Sequence, residues 1–468
     1  MNLESYHTFH FIGIGGMGMQ ALAQILIARG FSVSGSDLSE SPAVVRFRKE
    51  GARIFIGHEA SHVDGADCCI ISSAIRKDNP ELLAAEREGI PVFHRSDVLA
   101  ALLRGGKGIA VAGAHGKSTT SAMIGQIFQM AGTDPTIVLG GAVDYLGGNS
   151  CWGKGPFVIA EADESDGSFL KFAPFLAVVT NIEDDHLDHY GTVEKIKSAF
   201  AEFISHISWD DGAAVMCIDN EGVRAILPRL DKKIITYGTS EEAEFQARNK
   251  RYEGRRMVFD VVHDGKKLGA VSLQVPGSHN MRDALGALTA ALYCGISFED
   301  AAKALAAFKG VKRRFETKAD IDDVWIVDDY AHHPTEIEAT LRAAREMGSH
   351  RIICAFQPHR YSRTKLLKDE FAAAFDDADV LYFTDIYSAG ETALPGVTGR
   401  LIPDEVLSHT PEKAVHYVEK REDLAEALRQ EARPGDMIIT MGAGTISRTG
   451  EELIRLIKEK GLAHDHKE

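Results

Sequence analysis

The sequence predicts an α/β protein of three domains, and three observations carry that expectation. At 468 residues the chain is about three times the usual domain of roughly 150 residues. Its composition, 44% hydrophobic and 26% charged with 14 prolines, is that of a globular protein and excludes disordered, collagen-like and fibrous classes. A short apolar strand, a glycine turn or polar loop and then a helix occur near residue 10, and the pattern begins again near residues 109 and 322, which is the alternation of α/β folds.

In the first segment, expected over residues 1–107, His10 to Ile14 reads as a buried strand and Gly15, Gly16 and Gly18 as a tight turn. Met19 to Arg29 follows as a helix with Leu22, Ile25 and Leu26 at helical spacing. Strand-like runs at Ser32 to Gly35, Cys69 to Ser72 and Pro91 to Phe93 continue a nucleotide-binding type of domain. After Arg104-Gly105-Gly106-Lys107-Gly108 the pattern restarts with Ile109 to Ala112, GAHGKST and a helix bearing Met123, Ile127 and Met130, opening a central segment expected over 108–321. Its strands Phe157 to Ala160 and Ala177 to Thr180 deliver acidic and histidine-rich loops at their C-terminal ends, where open α/β sheets place their chemistry. Alternating Met257, Phe259 and Val261, the turn Asp264-Gly265, then Val271 and Leu273 predict a β-hairpin insertion between Arg248 and Pro276. The basic cluster beside it (Arg248, Lys250, Arg251, Arg255, Arg256) reads as a solvated face. The last segment, 322–468, carries strand-like runs at Val324 to Val327, Arg351 to Ala355, Val380 to Phe383 and Asp436 to Thr440, with helices between and a polar tail from Lys458.

A net charge of −16, from 68 acidic and 52 basic side chains, argues against a nucleic-acid or anionic-membrane surface but leaves room for local anion pockets. The six cysteines (Cys68, Cys69, Cys151, Cys217, Cys294, Cys354) form neither a CxxC pair nor a disulfide framework, so buried thiols in a reducing compartment are expected. MNLESYHTFHFIGIGG lacks the basic start of a signal peptide, and no run nears the ~18 apolar residues of a membrane span. A cytoplasmic protein is expected.

Two glycine turns dominate the motifs. GIGGMG (Gly13 to Gly18) matches the dinucleotide fingerprint at Gly13, Gly15 and Gly18, with Asp37 placed as its ribose-binding acid. A nucleotide diphosphate and NAD therefore both fit at this point. GAHGKST (Gly113 to Thr119) is sharper, because Lys117 can neutralise β- and γ-phosphates and Ser118 can ligate Mg²⁺, although the full P-loop spacing would need a glycine at Val111. EADESDGSF places Glu161 at the sheet edge as a hard oxygen ligand for Mg²⁺. NIEDDHLDHY offers His186 to a metal or phosphoryl group. His279-Asn280, KRRF (Lys312 to Phe315), DDYAHHPTE and FQPHRYSRT are individually weak; Pro334 fits a helix first turn, leaving His332 and His333 at its mouth.

Taken in order, GIGGMGM, GAHGKSTT, EADESD, TNIEDDHLDHY, GSHN, VKRRFE, DDYAHHPTEI and FQPHRYSRT closely resemble the motifs of the Mur ligases of peptidoglycan synthesis, from about residue 8 to residue 450. The resemblance implies an N-terminal Rossmann-like domain for a UDP-sugar, a central P-loop-type ATPase domain with a mixed sheet, and a C-terminal Rossmann-like domain for the amino acid and closure. It assigns the first turn to the UDP diphosphate rather than to NAD. Where sibling ligases carry a carbamylated lysine this chain has Phe200-Ala201, as in the alanine-adding branch. The implied reaction is ATP-dependent, with Mg²⁺, and joins L-alanine to the carboxylate of UDP-N-acetylmuramate through an acyl phosphate. The implied enzyme is a monomer or homodimer with no nucleic-acid partner and no membrane insertion. A tripeptide-recycling ligase on the same nucleotide sugar and a non-catalytic nucleotide-binding regulatory protein are the competing readings; the joint presence of Lys117, Glu161, His186 and Arg314 weighs against the second.

Carried over residue by residue, the resemblance makes Lys117, His186 and Arg314 the catalytic candidates. Gly113, His115, Gly116, Lys117, Ser118, Thr119, Asn280, Arg314 and Asp329 fall to ATP, and Ser118, Glu161 and His186 to Mg²⁺. Gly15, Gly16, Gly18, Asp37, Ser72 and His94 fall to the nucleotide sugar, and His332, His333, Arg360 and Arg363 to the amino-acid end. Ala114 and Ser118 replace more usual threonines, and Asp283 stands where a second asparagine is common, so any contact of Asp283 near the nucleotide must differ in its donors.

Overall fold

The computed structural model describes residues 1–184, 187–348 and 351–463. Its strands fall into three sheets, the third beginning at Glu316, ahead of the restart read near residue 322. The first consists of β1 (Thr8–Ile12), β2 (Ser32–Asp37), β3 (Arg53–Ile56), β4 (Cys68–Ile71) and β5 (Val92–His94) in the order β3-β2-β1-β4-β5, all parallel. Chain order reverses between β1 and β4, so the crevice at their C-terminal ends is where an open α/β sheet receives a ligand.

The second sheet has ten strands: β6 (Lys107–Ala112), β7 (Thr136–Val143), β8 (Gly148–Cys151), β9 (Phe157–Glu161), β10 (Leu176–Val179), β11 (Ala213–Cys217), β12 (Ile234–Gly238), β13 (Phe245–Glu253), β14 (Arg256–His263) and β15 (Lys266–Leu273). Their order is β15-β14-β13-β12-β11-β10-β6-β9-β7-β8. The two strands feeding the motif loops, β9 and β10, flank β6 on either side. The expected hairpin is β14 and β15, turning at Asp264-Gly265, and a further strand, β13, joins it to the central sheet by pairing in parallel with β12 through Tyr237–Phe245 and Gly238–Gln246. Arg248 to Glu253 supply its strongly polar stretch, which hid a strand from a pattern of alternating apolar residues.

The third sheet contains β16 (Glu316–Ile321), β17 (Val324–Asp329), β18 (Arg351–Phe356), β19 (Val380–Phe383), β20 (Ala414–Tyr417) and β21 (Asp436–Met441) in the order β16-β17-β21-β18-β19-β20. It is parallel except for the edge strand β16. Its central strands are fully buried, as parallel strands covered by helices on both faces must be.

The chain divides into two compact units. One comprises Met1–Lys250, Val258–Ser272 and Asn280–Phe308; the other comprises Arg251–Met257, Leu273–His279 and Lys309–Glu468. The first two sheets share a unit because one apolar cluster runs through both, from Phe9 and Leu22 to Val138, Phe169 and Phe203. The helix Met17–Ala28 lies against β7 and β8, and Asn149 Nδ2 donates to Met17 O at 3.1 Å. Among the described residues no helix is long and apolar enough to cross a membrane. The six cysteines are free thiols, four buried and two, Cys151 and Cys294, partly so. Burial pushes Cys68, Cys69 and Cys294 up to about 12 and Cys217 to about 11, and raises Cys151 and Cys354 as well.

Candidate functional site

The first glycine turn leaves β1 with Gly13 at φ 79° and ends in the helix Met17–Ala28, whose N-cap Gly16 makes no side-chain cap. Unsatisfied N–H groups at such a helix start suit an anion. Asp37, at the end of β2, accepts Gly15 N–H at 2.9 Å; a Cβ on Gly15 would stand 2.8 Å from that carboxylate oxygen, so the turn needs glycine there. Ser72 and His94 line a cavity of about 840 Å³ with Ser73, Ile75, Asp166 and Lys171. It is walled by the ends of β4 and β5 and by the loop after β9. His94 caps the helix Arg95–Arg104, and burial together with the Arg95 charge lowers its pKa.

The second turn, Gly113 to Gly116, runs from β6 into the helix Lys117–Met130. Gly113 (φ 143°) and Gly116 (φ 81°) hold conformations that L side chains avoid. A Cβ at Gly113 would fall 2.1 Å from Thr180 Oγ1, and one at Gly116 2.5 Å from Asp283 Oδ1. The Lys117 ammonium is folded back on this turn, donating to Gly113 O, to Ala114 O and at 2.8 Å to the buried carboxylate of Glu164. Ser118 Oγ donates to Glu161 at 3.0 Å, and the other Glu161 oxygen accepts Gly140 N–H. The His115 backbone is clamped by Asn181, whose Oδ1 accepts His115 N–H and whose Nδ2 donates to His115 O, both at 2.9 Å. Thr119 occupies the first turn of the helix. His186 lies outside the described residues. Asn280 and Asp283 are both buried on the helix Ser278–Tyr293, and the carboxylate of Asp283 sits against the Gly116 turn.

A second constellation belongs to the other unit. Arg314 Nη1 donates to Glu336 at 3.4 Å, and its guanidinium lies 5.5 Å from the centre of the Tyr330 ring. Glu336 also accepts the N–H groups of His332 (3.1 Å) and His333 (3.3 Å), the capping box of a helix that starts at Pro334 with His333 as N-cap. One carboxylate therefore fixes Arg314 and the two histidines together. His332 Nδ1 is 3.0 Å from Tyr330 O, where it donates. Its ring is 5.8 Å from that of His359, which stacks on Tyr387 and takes a hydrogen bond from Arg363 at 3.2 Å. Burial and the Arg363 charge push His359 down to about 4, so the ring is neutral near pH 7. Arg360 adopts φ 70° at the head of the helix Tyr361–Leu366, a strained backbone of the kind that clusters at functional sites.

Asp329, which the resemblance assigns to ATP, lies beside the Arg314 turn. It is buried, and its two oxygens accept Phe315 N–H and Ala331 N–H, each at 2.7 Å. Burial lifts its pKa to about 6 against the pull of Arg314 and those amides. Its carboxylate fastens the Arg313–Phe315 turn, where Arg313 and Phe315 have φ of 62° and 43°. Sequence reasoning missed Glu164, Asn181, Glu336 and His359, although each lies inside a quoted motif or beside one. It also missed Tyr387 and Arg95, which no motif marks.

The chain matches three family models: "Mur ligase family, catalytic domain" over residues 8–107, "Mur ligase middle domain" over 111–291, and "Mur ligase, glutamate ligase domain" over 313–444. It is 46% identical over 450 residues to a UDP-N-acetylmuramate–L-alanine ligase of Geobacter sp. strain M21, covering 96% of this chain and 97% of that protein. It is 44% identical over 453 residues to the ligase of the same name from Syntrophotalea carbinolica, covering 97% and 98%. The crystal structure of UDP-N-acetylmuramate-alanine ligase from Thermotoga maritima superposes with a TM-score of 0.83 at 30% identity, covering 97% of this chain and 99% of that one. A murein peptide ligase from Psychrobacter arcticus shares the fold at 24% identity with a TM-score of 0.67, covering 98% and 99%.

Proposed function

Because the chain belongs to the Mur ligase family, we propose that it joins L-alanine to the carboxylate of UDP-N-acetylmuramate at the expense of ATP. The products are UDP-N-acetylmuramoyl-L-alanine, ADP and phosphate, in cytoplasmic assembly of peptidoglycan precursors. The carrying observation is the Gly113–Thr119 turn, where a lysine, a hydroxyl and a carboxylate converge on a helix N-terminus.

In the first step the muramyl carboxylate attacks the γ-phosphorus of ATP and ADP leaves, giving an acyl phosphate. One anion attacks another, so the barrier falls with charge neutralisation and alignment. Lys117, released from Glu164, neutralises the γ-phosphate, and Arg314, oriented by Glu336, is assigned to the same phosphoryl group. Gly113, Gly116, His115 and Thr119 shape the phosphate turn, Asn280 contacts the adenine, and Asp329 holds the Arg314 turn. Ser118 and Glu161 offer hard oxygens 3.0 Å apart, a donor set that would hold Mg²⁺, and the ion would supply positive charge to the phosphates. Gly15, Gly16, Gly18 and Asp37 take the UDP end, and Ser72 and His94 the sugar cavity. In the second step the alanine amine attacks the acyl carbon and phosphate departs, with the amino acid's carboxylate assigned to Arg360 and Arg363 beside His332 and His333. No protein nucleophile is required, and a dry site protects the acyl phosphate from hydrolysis.

Alanine-dependent phosphate release in the presence of UDP-N-acetylmuramate, ATP and Mg²⁺ tests the proposal. Lys117→Ala is expected to abolish it, and undiminished release from that variant would remove the ATP site. The same assay with glycine, L-serine and a cell-wall tripeptide tests the amino acid; preferred turnover of the tripeptide would overturn the assignment.

A further inference from the structure

The end of β9 and the acidic loop that follows it hold three separate groups. Glu161 accepts from Ser118 at 3.0 Å, Glu164 from Lys117 at 2.8 Å, and Asp163, between them, from Arg95 Nη2 at 2.8 Å. Arg95 is contributed by the first sheet's last helix, and its guanidinium lies over the first glycine turn: a Cβ on Gly18 would stand 3.4 Å from Nη1. From the same side Ser73 Oγ donates to Asp166, in the same loop, at 3.2 Å. A planar fork of N–H donors beside an uncapped helix N-terminus is suited to a diphosphate, and a carboxylate now occupies it. All these groups lie in one compact unit.

We infer that Arg95 is a diphosphate-binding residue for the nucleotide sugar and that Asp163 holds its place until the ligand arrives. The incoming diphosphate takes Arg95 from Asp163. Because Asp163 and Glu164 are consecutive, the loop released at one end relaxes its hold on Lys117 at the other. Nucleotide sugar and ATP therefore bind with positive coupling, and by linkage the effect is equal in both directions. The inference rests on the functional reading above and extends it to a residue and a coupling that the reaction alone does not require.

Calorimetric titration of UDP-N-acetylmuramate, with and without a saturating non-hydrolysable ATP analogue and Mg²⁺, tests it. The wild-type protein is expected to bind the sugar roughly fivefold or more tightly when the analogue is present. Arg95→Ala is expected to weaken sugar binding about tenfold or more, the loss of one charge-assisted contact, and, because Asp163 is then already free, to bind the analogue as tightly as sugar-loaded wild type does. Asp163→Asn removes the competitor, so the sugar binds as tightly as to wild type or more tightly, and the coupling disappears; Asp163→Glu restores it. Weaker sugar binding by Asp163→Asn at an unchanged melting temperature, persistence of its coupling, or wild-type binding by Arg95→Ala would each overturn the inference. Absence of any UDP-N-acetylmuramate binding by the wild-type protein would instead sink the functional reading itself.

Discussion

Glu81 lies fully buried beneath the C-terminal ends of β1, β2 and β3, in the first turn of the helix Pro80–Glu88. One of its oxygens accepts from His10 Nε2 (2.9 Å) and Ser36 Oγ (2.7 Å), the other from His58 Nδ1 (3.1 Å) and His62 Nδ1 (3.0 Å). Glu81→Gln keeps the volume but turns one accepting oxygen into an amino group that faces two donors. Each hydrogen bond to a charged group contributes about 1.5–3 kcal/mol, so losing two costs about 3–6 kcal/mol before the histidines change tautomer to recover part. A second route gives a similar figure. Burial alone would raise the carboxyl, yet the His10, Ser36 and His62 hydrogen bonds hold it at about 2 against an ordinary 4.5, a difference worth about 3 kcal/mol. For an acid depressed in the folded state, that stability is complete above pH 4.5 and is lost as pH falls towards 2. Urea unfolding followed by far-UV circular dichroism, fitted transition by transition, should therefore show Glu81→Gln about 3 kcal/mol less stable than wild type at pH 7, with the gap closing between pH 4.5 and 2. Other carboxylates cancel in the difference. A deficit under about 1 kcal/mol at pH 7, or a gap that does not narrow in acid, would refute the reasoning.

Gly116→Ala forces a side chain into a left-handed φ and to 2.5 Å from Asp283 Oδ1; the strain of about 1–3 kcal/mol should raise the KM for ATP in the phosphate-release assay and leave binding of UDP-N-acetylmuramate unaffected. Asp329 is an acid raised by burial to about 6 from 3.8, so its contribution to stability is complete below pH 3.8 and is lost as pH rises through 6. Relative to Asp329→Asn, the wild-type protein should lose about 3 kcal/mol between pH 4 and pH 7, measured by denaturant unfolding, and parallel pH profiles would contradict the buried carboxyl. Ser118→Thr keeps the metal hydroxyl and should titrate with Mg²⁺ like wild type, whereas Ser118→Ala should need about tenfold more Mg²⁺ for half-maximal phosphate release.

Strands buried on both faces were plain in the sequence, because Ile109 to Ala112, Val324 to Val327 and Val380 to Phe383 are short apolar runs ending in turn residues. The glycine turns were equally plain, since the glycines of GIGGMG, and the glycines, lysine and hydroxyls of GAHGKST, stand together in the chain. What stayed hidden depends on residues distant in sequence. His10, Ser36, the pair His58 and His62, and Glu81 come from four separated stretches, and no local pattern announces that the first four residues share the Glu81 carboxylate. The Arg95–Asp163 pair spans 68 positions. Asp329 sat in a recognisable motif, yet its partners are backbone amides, which carry no signature in side-chain identity. β16, whose residues alternate Glu316, Lys318 and Asp320 with smaller or apolar ones, lacked the continuous apolar run that marked its neighbours.

All six native thiols are raised by burial, four of them to about 11 or 12, so at neutral pH the protein carries a nearly silent background towards thiolate-selective dyes. Leu366 is 80% exposed at the end of the short helix that carries Arg363. Leu366→Cys would accept a maleimide fluorophore without prior removal of any native cysteine, giving an optical reporter one turn from the groups assigned to the amino acid.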